Sequence, residues 1–157
     1  MKTTLVLLML TGLIALPFRI EAAAPVVVVQ SAKGKFDEVR DRVVMAIENR
    51  GMVLNYTARV GNMLERTGKD LGRTRQIYNQ ADVLEFCSAT LSRDTMEADA
   101  HNIVYCPYSI AVYTLPKEPG TVYVSHRRLA TGGADRSAKA LGAVDKLLDD
   151  IVREALK

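Results

Sequence analysis

Tryptophan is absent, and only two cysteines occur in 157 residues. Two cysteines cannot staple a disulfide-dense mini-domain, so the fold must rest on an apolar core. There is no C-x-x-C, which excludes the thioredoxin-type site and the c-type haem attachment. No G-x-S-x-G elbow and no Walker loop are present. Only two histidines occur, His101 and His126. They do not form an i, i+4 pair, so no helical zinc site is signalled. Excess charge is also lacking. The net charge is +3, too small and too evenly spread to point to nucleic acid. Apolar residues make up 48% and charged residues 25%, a balance that suits one globular domain and neither disorder nor a coiled coil.

The uncharged apolar stretch Leu5 to Phe18 is shorter than the roughly 20 residues of a membrane-spanning helix. Lys2 precedes it and Ala22, Ala23 and Ala24 follow. A positive start, a short apolar centre and small residues at the end make a cleavable secretory signal. Pro25 disfavours a cut after Ala24, so Ile20-Glu21-Ala22 is the expected site. The expected organisation is a signal peptide over 1–22 and a single domain over 23–157. The protein would then be periplasmic or secreted, with no stable membrane anchor after cleavage.

Within the mature chain, four β-branched residues, Val26 to Val29, predict a strand buried on both faces. The segment from Ser31 to Lys35 reads as a turn. Phe36, Val39, Val43 and Ile47 recur at helical spacing, with Gly51 as the stop. Leu54, Tyr56, Ala58 and Val60 alternate as one face of a strand. Asn62 and Glu65 resemble a capping box for a short helix ending near Gly68. The polar segment from Lys69 to Gln80 reads as a loop or weak helix. Val83 to Cys87 is a short strand, and Ser88 or Ser92 would cap the next helix. The run from Ile103 to Leu115 predicts a long strand with Pro107 at an edge or bulge. A turn and Val122 to His126 complete a hairpin. Leu141, Val144, Leu148, Ile151 and Ala155 define a final amphipathic helix capped by Asp135 or Ser137. The pattern predicts a single compact α+β domain, with a mixed or antiparallel sheet and helices packed mainly on one face.

Cys87 and Cys106 carry the main chemical question. In an oxidising compartment an even number of cysteines favours a bridge. Were their strands parallel neighbours joined by a crossover helix, the two would lie about 17 Å and about 10 Å along them. That offset is near the limit for a bridge. Alternatively, Cys87 at a helix N-terminus would be a low-pKa thiol in a redox or soft-metal pair. The two readings carry equal weight. Pro107, Tyr108, Tyr113, His126 and Arg127 are candidate ligand-binding residues. Tyr105, Tyr108, Tyr113 and Tyr123 cluster on the last strands, where packing is the plainer explanation. His126-Arg127-Arg128 is a small basic cluster, and Asp82, Glu85 and Asp94 look solvated.

Taken together, Lys33-Gly34-Lys35-Phe36, Phe86-Cys87-Ser88-Ala89 and the strand Cys106-Pro107-Tyr108-Ser109-Ile110-Ala111-Val112-Tyr113 resemble the bacterial family known as domain of unknown function 302. The likeness spans nearly the whole mature chain, and its Cys-Pro-Tyr strand is the most specific part. The resemblance implies a compact α+β fold and a tendency to form dimers, with no established reaction. It also implies that Cys87 and Cys106 match cysteines of cytoplasmic relatives, so a secretion-driven disulfide is not their sole reason. Another branch of the family follows its first cysteine with Asn-Pro, where this chain has Ser88-Ala89.

Three functions follow. The first is a periplasmic, non-enzymatic module that binds a small ligand or a periplasmic protein as a homodimer. Its contact would be an exposed sheet face or edge near Pro107 or the hairpin. The second is a thiol redox or soft-metal protein using Cys87 and Cys106, with His126 as a third ligand. The third, a hydrolase or lyase, has the least support, because no nucleophile–base pair can be placed. No cofactor is signalled.

Overall fold

A computed structural model describes residues 26–129 and 135–157. The expected signal peptide lies outside the described residues, and so do Thr131, Gly132 and Gly133, whose glycines predict a break between the hairpin and the final helix. Ten elements follow in order: β1 (Val27–Lys33), α1 (Phe36–Glu48), β2 (Leu54–Ala58), α2 (Val60–Asp70), β3 (Gln80–Phe86), α3 (Ala89–Ala98), a 3-10 turn (Ala100–Tyr105), β4 (Tyr108–Thr114), β5 (Thr121–Arg127) and α4 (Arg136–Ala155). The sheet order is β1-β5-β4-β3-β2, and every neighbouring pair is antiparallel. The α+β expectation holds, with the antiparallel alternative realised. No helix among the described residues is long and apolar enough to cross a membrane.

The core forms where the helical stripes meet one sheet face. Val39, Val43 and Ile47 of α1 and Val144, Leu148 and Ile151 of α4 pack on Leu84, Phe86, Ile110, Val112, Val122 and Val124. The 3.6-residue repeat of the helices and the two-residue repeat of the strands converge on this layer. Both helices pack against each other, and α3 packs against α4. Asp135 caps α4 through the Ala138 amide at 2.7 Å. At the end of α1, Gly51 takes the positive φ of +72° that stops the helix, a conformation costly for any residue with a Cβ.

Several local expectations are corrected. The Val26–Val29 run is not buried on both faces. β1 is an edge strand, and Val27 remains 50% exposed. β-branched residues favour extended backbone wherever it lies, so they do not report depth in the sheet. The strand also continues to Lys33, leaving only a tight turn at Gly34. In β2, Leu54 faces Phe86 but Tyr56 faces Glu85. Asn55 is therefore the extra residue of a bulge, which turns Tyr56 to the opposite face, 62% exposed. The Asn62 capping box does not form. α2 begins at Val60, with no side-chain cap on Arg59, and runs through Gly68 to Asp70.

The long strand expected from Ile103 is instead a 3-10 turn followed by β4. Pro107 stands just before β4, so its missing amide removes no ladder bond from a strand that is central, not peripheral. Asp82 is buried, not solvated. Its Oδ2 has no hydrogen bond among the described residues, while Arg59 Nη1 at 3.6 Å and Arg40 Nη1 at 3.9 Å face it.

Candidate functional site

Antiparallel pairing of β3 with β4 sets Phe86 opposite Tyr108. Cys87 follows the end of β3, and Cys106 lies just before the start of β4. Both therefore emerge at the same end of the sheet, and their sulfurs stand 2.9 Å apart. The axial offset expected for parallel neighbours does not arise, because antiparallel strands bring one strand's end beside the next one's start. Both cysteines are free thiols, half-buried. The distance exceeds the ~2.05 Å of a covalent S–S bond, so the pair is in contact and unbonded.

The chain between them is held firmly. Ser88 caps α3 by accepting from the Leu91 amide at 3.4 Å. Asp99 Oδ1 accepts from the His101 amide at 2.9 Å and starts the 3-10 turn. Buried Asn102 donates to the Thr95 carbonyl at 2.8 Å and to Ser137 Oγ on α4 at 2.8 Å. The Cys106 amide then donates to the Ile103 carbonyl at 3.1 Å. The Cys106–Pro107 peptide is cis. Around the sulfurs, Asn55 Nδ2 lies 3.7 Å from Cys87 Sγ, and Ser92 Oγ lies 3.7 Å from Cys106 Sγ. Ser92 also donates to the Tyr108 hydroxyl at 3.2 Å.

The expectation of a low-pKa thiol at Cys87 is corrected. Burial first, and then the hydrogen bond and charge of Cys106, push the Cys87 thiol up to about 11. Cys87 sits one residue before the cap, and Ser88 Oγ takes the Leu91 amide that could have faced an anion. A raised folded-state pKa stabilises the fold fully below the unfolded value of about 8.5 and loses that stabilisation as pH rises toward the folded value. Reduced protein should therefore lose stability between pH ~8.5 and pH ~11 relative to oxidised protein, which has no thiol to titrate. Burial raises the Tyr108 phenol in the same direction, but it is present in both redox forms. Urea midpoints measured against pH in each form test the difference, and parallel curves would refute it.

Three of the candidate ligand residues meet, and Tyr113 and His126 lie apart from them. Pro107, Tyr108 and Arg127 line a cavity of about 10 Å³ with Leu129 and Leu148, room for one water at most. Tyr113 is on the other sheet face, stacked on Tyr123 at 5.2 Å and edge-on to Tyr78 at 5.5 Å. Tyr108 packs edge-on to Phe86 at 6.2 Å. Tyr105 and Tyr108 line the small cavity, while Tyr113 and Tyr123 stack on the other face, so the four tyrosines split into two pairs.

His126 is not part of a solvated basic cluster. Its ring is fully buried, with Nε2 at 2.9 Å from Asp149 Oδ1 and Nδ1 at 3.0 Å from the Arg127 carbonyl. It ties β5 to α4. Arg128 faces Asp149 at 3.7 Å and Asp145 at 4.0 Å, and Asp145 accepts from the Leu129 amide at 2.7 Å. No group of three potential metal ligands occurs among the described residues, so His126 does not join the cysteines. Sequence reasoning missed the environment of Asp82 and a groove beside α2, because both depend on neighbours distant in the chain.

A family model described as "Domain of unknown function DUF302" matches residues 27–155. The chain belongs to the DUF302 family. A solved structure has the same fold, the crystal structure of an uncharacterized conserved DUF302 protein from Bacillus stearothermophilus. It is 13% identical, with a TM-score of 0.70, over 85% of this chain and 100% of that one. Among curated proteins no sequence matches. DUF302 membership accounts for the architecture and leaves the chemistry of Cys87 and Cys106 to be argued from their geometry.

Proposed function

We propose that this DUF302 protein is an exported thiol–disulfide module whose Cys87–Cys106 pair cycles between dithiol and disulfide. The supporting observation is the 2.9 Å separation of two half-buried sulfurs at one end of the sheet. The soft-metal version has less support, since only two ligands meet there among the described residues. Cys87 keeps its proton near neutral pH, so Cys106 is the attacking sulfur in this reading. Its thiolate attacks one sulfur of a partner disulfide and expels the other as a thiol. Cys87, on losing its proton, then attacks the bound Cys106 sulfur and releases the second thiol. The protein gives up two electrons and two protons, and the partner disulfide becomes two thiols. With residues 1–22 acting as an export signal, the oxidising compartment supplies that disulfide.

Thiol titration in glutathione redox buffers tests this. The two native thiols should disappear together and return together, with a midpoint above about −300 mV. Inert thiols, or a bridge below that potential, would refute the proposal.

The binding-module reading is favoured by a different observation, a groove beside α2. The homodimer belongs to either reading. The uncovered sheet face with Val27, Val29 and Tyr123 supports it, and sedimentation velocity would remove it by finding only monomer.

A further inference from the structure

α2 contributes no buried residue to the core, although Met63 and Leu64 share its surface with Glu65 and Lys69. The chain after it folds back, and helix and loop together enclose a groove of about 460 Å³. That volume is within the ~300–1,000 Å³ of small-molecule sites. Leu64, Leu71, Ile77 and Tyr78 give it apolar walls, and Arg73 and Arg75 line it as well.

Two glycines shape the groove. A Cβ on Gly61 would approach the Ala81 backbone nitrogen to 2.9 Å, and one on Gly68 would approach the Arg73 carbonyl oxygen to 2.7 Å. Only bare backbone lets α2 press against β3 and lets the loop press against α2. The Arg73 amide donates to the Gly68 carbonyl at 2.7 Å. Asn79 anchors the far end of the loop, its amide donating to the Thr114 carbonyl at 3.0 Å and its side chain to the Leu115 carbonyl at 3.3 Å.

The charge in the groove is one-sided. Glu65 faces Lys69 at 3.7 Å, so these two offset each other. The guanidiniums of Arg73 and Arg75 make no ion pair or side-chain hydrogen bond among the described residues. A guanidinium presents a planar fork of donors that matches a carboxylate or phosphate. Apolar walls beside two unpaired forks complement a molecule with an oxyanion head and a hydrocarbon body.

We propose that the groove between α2 and residues 71–79 binds a small amphipathic anion, its head held by Arg73 and Arg75 and its body lying against Leu64, Leu71, Ile77 and Tyr78. The inference goes beyond the thiol proposal. Neither Cys87 nor Cys106 lines the groove, and binding is expected in both redox forms.

Calorimetric titration of the full chain, below micelle-forming concentrations, tests it with four probes of equal tail length. These are decanoate, decyl phosphate, neutral decanol and cationic decyltrimethylammonium. Saturable one-to-one binding is expected for an anion. Decanoate as the tighter ligand would mark a carboxylate head, and decyl phosphate as the tighter one a phosphate head. Decanol and the cation should bind at least ~10-fold more weakly. The double variant Arg73→Gln and Arg75→Gln, with an unchanged circular dichroism spectrum, should weaken the preferred anion by at least ~10-fold. Equal binding of all four probes by the unmodified chain would overturn the proposal without reference to any variant. So would undiminished anion binding by the folded double variant, or no binding of either anion.

Discussion

Oxidising the Cys87–Cys106 pair raises the melting temperature of the protein by roughly 10 °C. The two residues are 19 apart in the chain, and closing a loop of that size removes unfolded-state entropy worth about 3 kcal/mol. For a domain of this length each kcal/mol moves the midpoint by roughly 3–5 °C. The sulfurs already touch, so little native-state distortion is expected to offset the gain. Thermal unfolding followed by circular dichroism, with the oxidised protein compared against the same sample in excess reductant, reads the shift. The double variant Cys87→Ser and Cys106→Ser should melt at one temperature in both conditions. A wild-type midpoint indifferent to reductant, with the oxidised state verified by mass, would mean that the bridge constrains nothing.

Phe86→Ala destabilises the fold by about 3–5 kcal/mol and slows closure of the bridge as well. Phe86 is fully buried at the end of β3, opposite Tyr108 in register and edge-on to its ring. Removing the ring leaves a cavity under the two chain ends that carry the sulfurs. The Tyr108 hydroxyl also accepts from Ser92, which neighbours Cys106. Loss of the Phe86 ring therefore loosens both sides of the pair. Urea unfolding measures the stability, and the rate of bridge closure by oxidised glutathione measures the alignment. Tyr113→Ala serves as the contrast. It removes a ring from the same strand pair but from the face the helices leave open, and the lost stacking is worth only about 0.5–1.5 kcal/mol. Equal losses in the two variants would contradict the placement of the core.

The elements legible in the sequence share one property, a strong repeat against a single neighbour. The stripes of α1 and α4 are such cases. Phe36, Val39, Val43, Ile47, Leu141, Val144, Leu148, Ile151 and Ala155 are all buried. The hairpin is legible because its turn and both its strands are contiguous. The resemblance carried by the Cys-Pro-Tyr segment leads to the family. Expectations fail where a residue's surroundings come from elsewhere in the chain. Val27 reads as central because β-branching reports backbone preference alone. Tyr56 reads as inward because alternation hides a bulge. Asp82 reads as solvated because a lone acid in a strand does not announce Arg40 and Arg59.

Residue order alone specifies the α+β class, the two main helical faces, and the fact that only two thiols exist to be used. Only the folded chain shows that those sulfurs meet, that His126 turns to Asp149 instead of joining them, and that Arg73 and Arg75 line a groove. The physical reason is range. Helix and strand repeats follow from covalent geometry and local burial, over a few residues. Strand order follows from how the whole chain buries its apolar area, and that order sets Phe86 against Tyr108 and so brings Cys87 to Cys106.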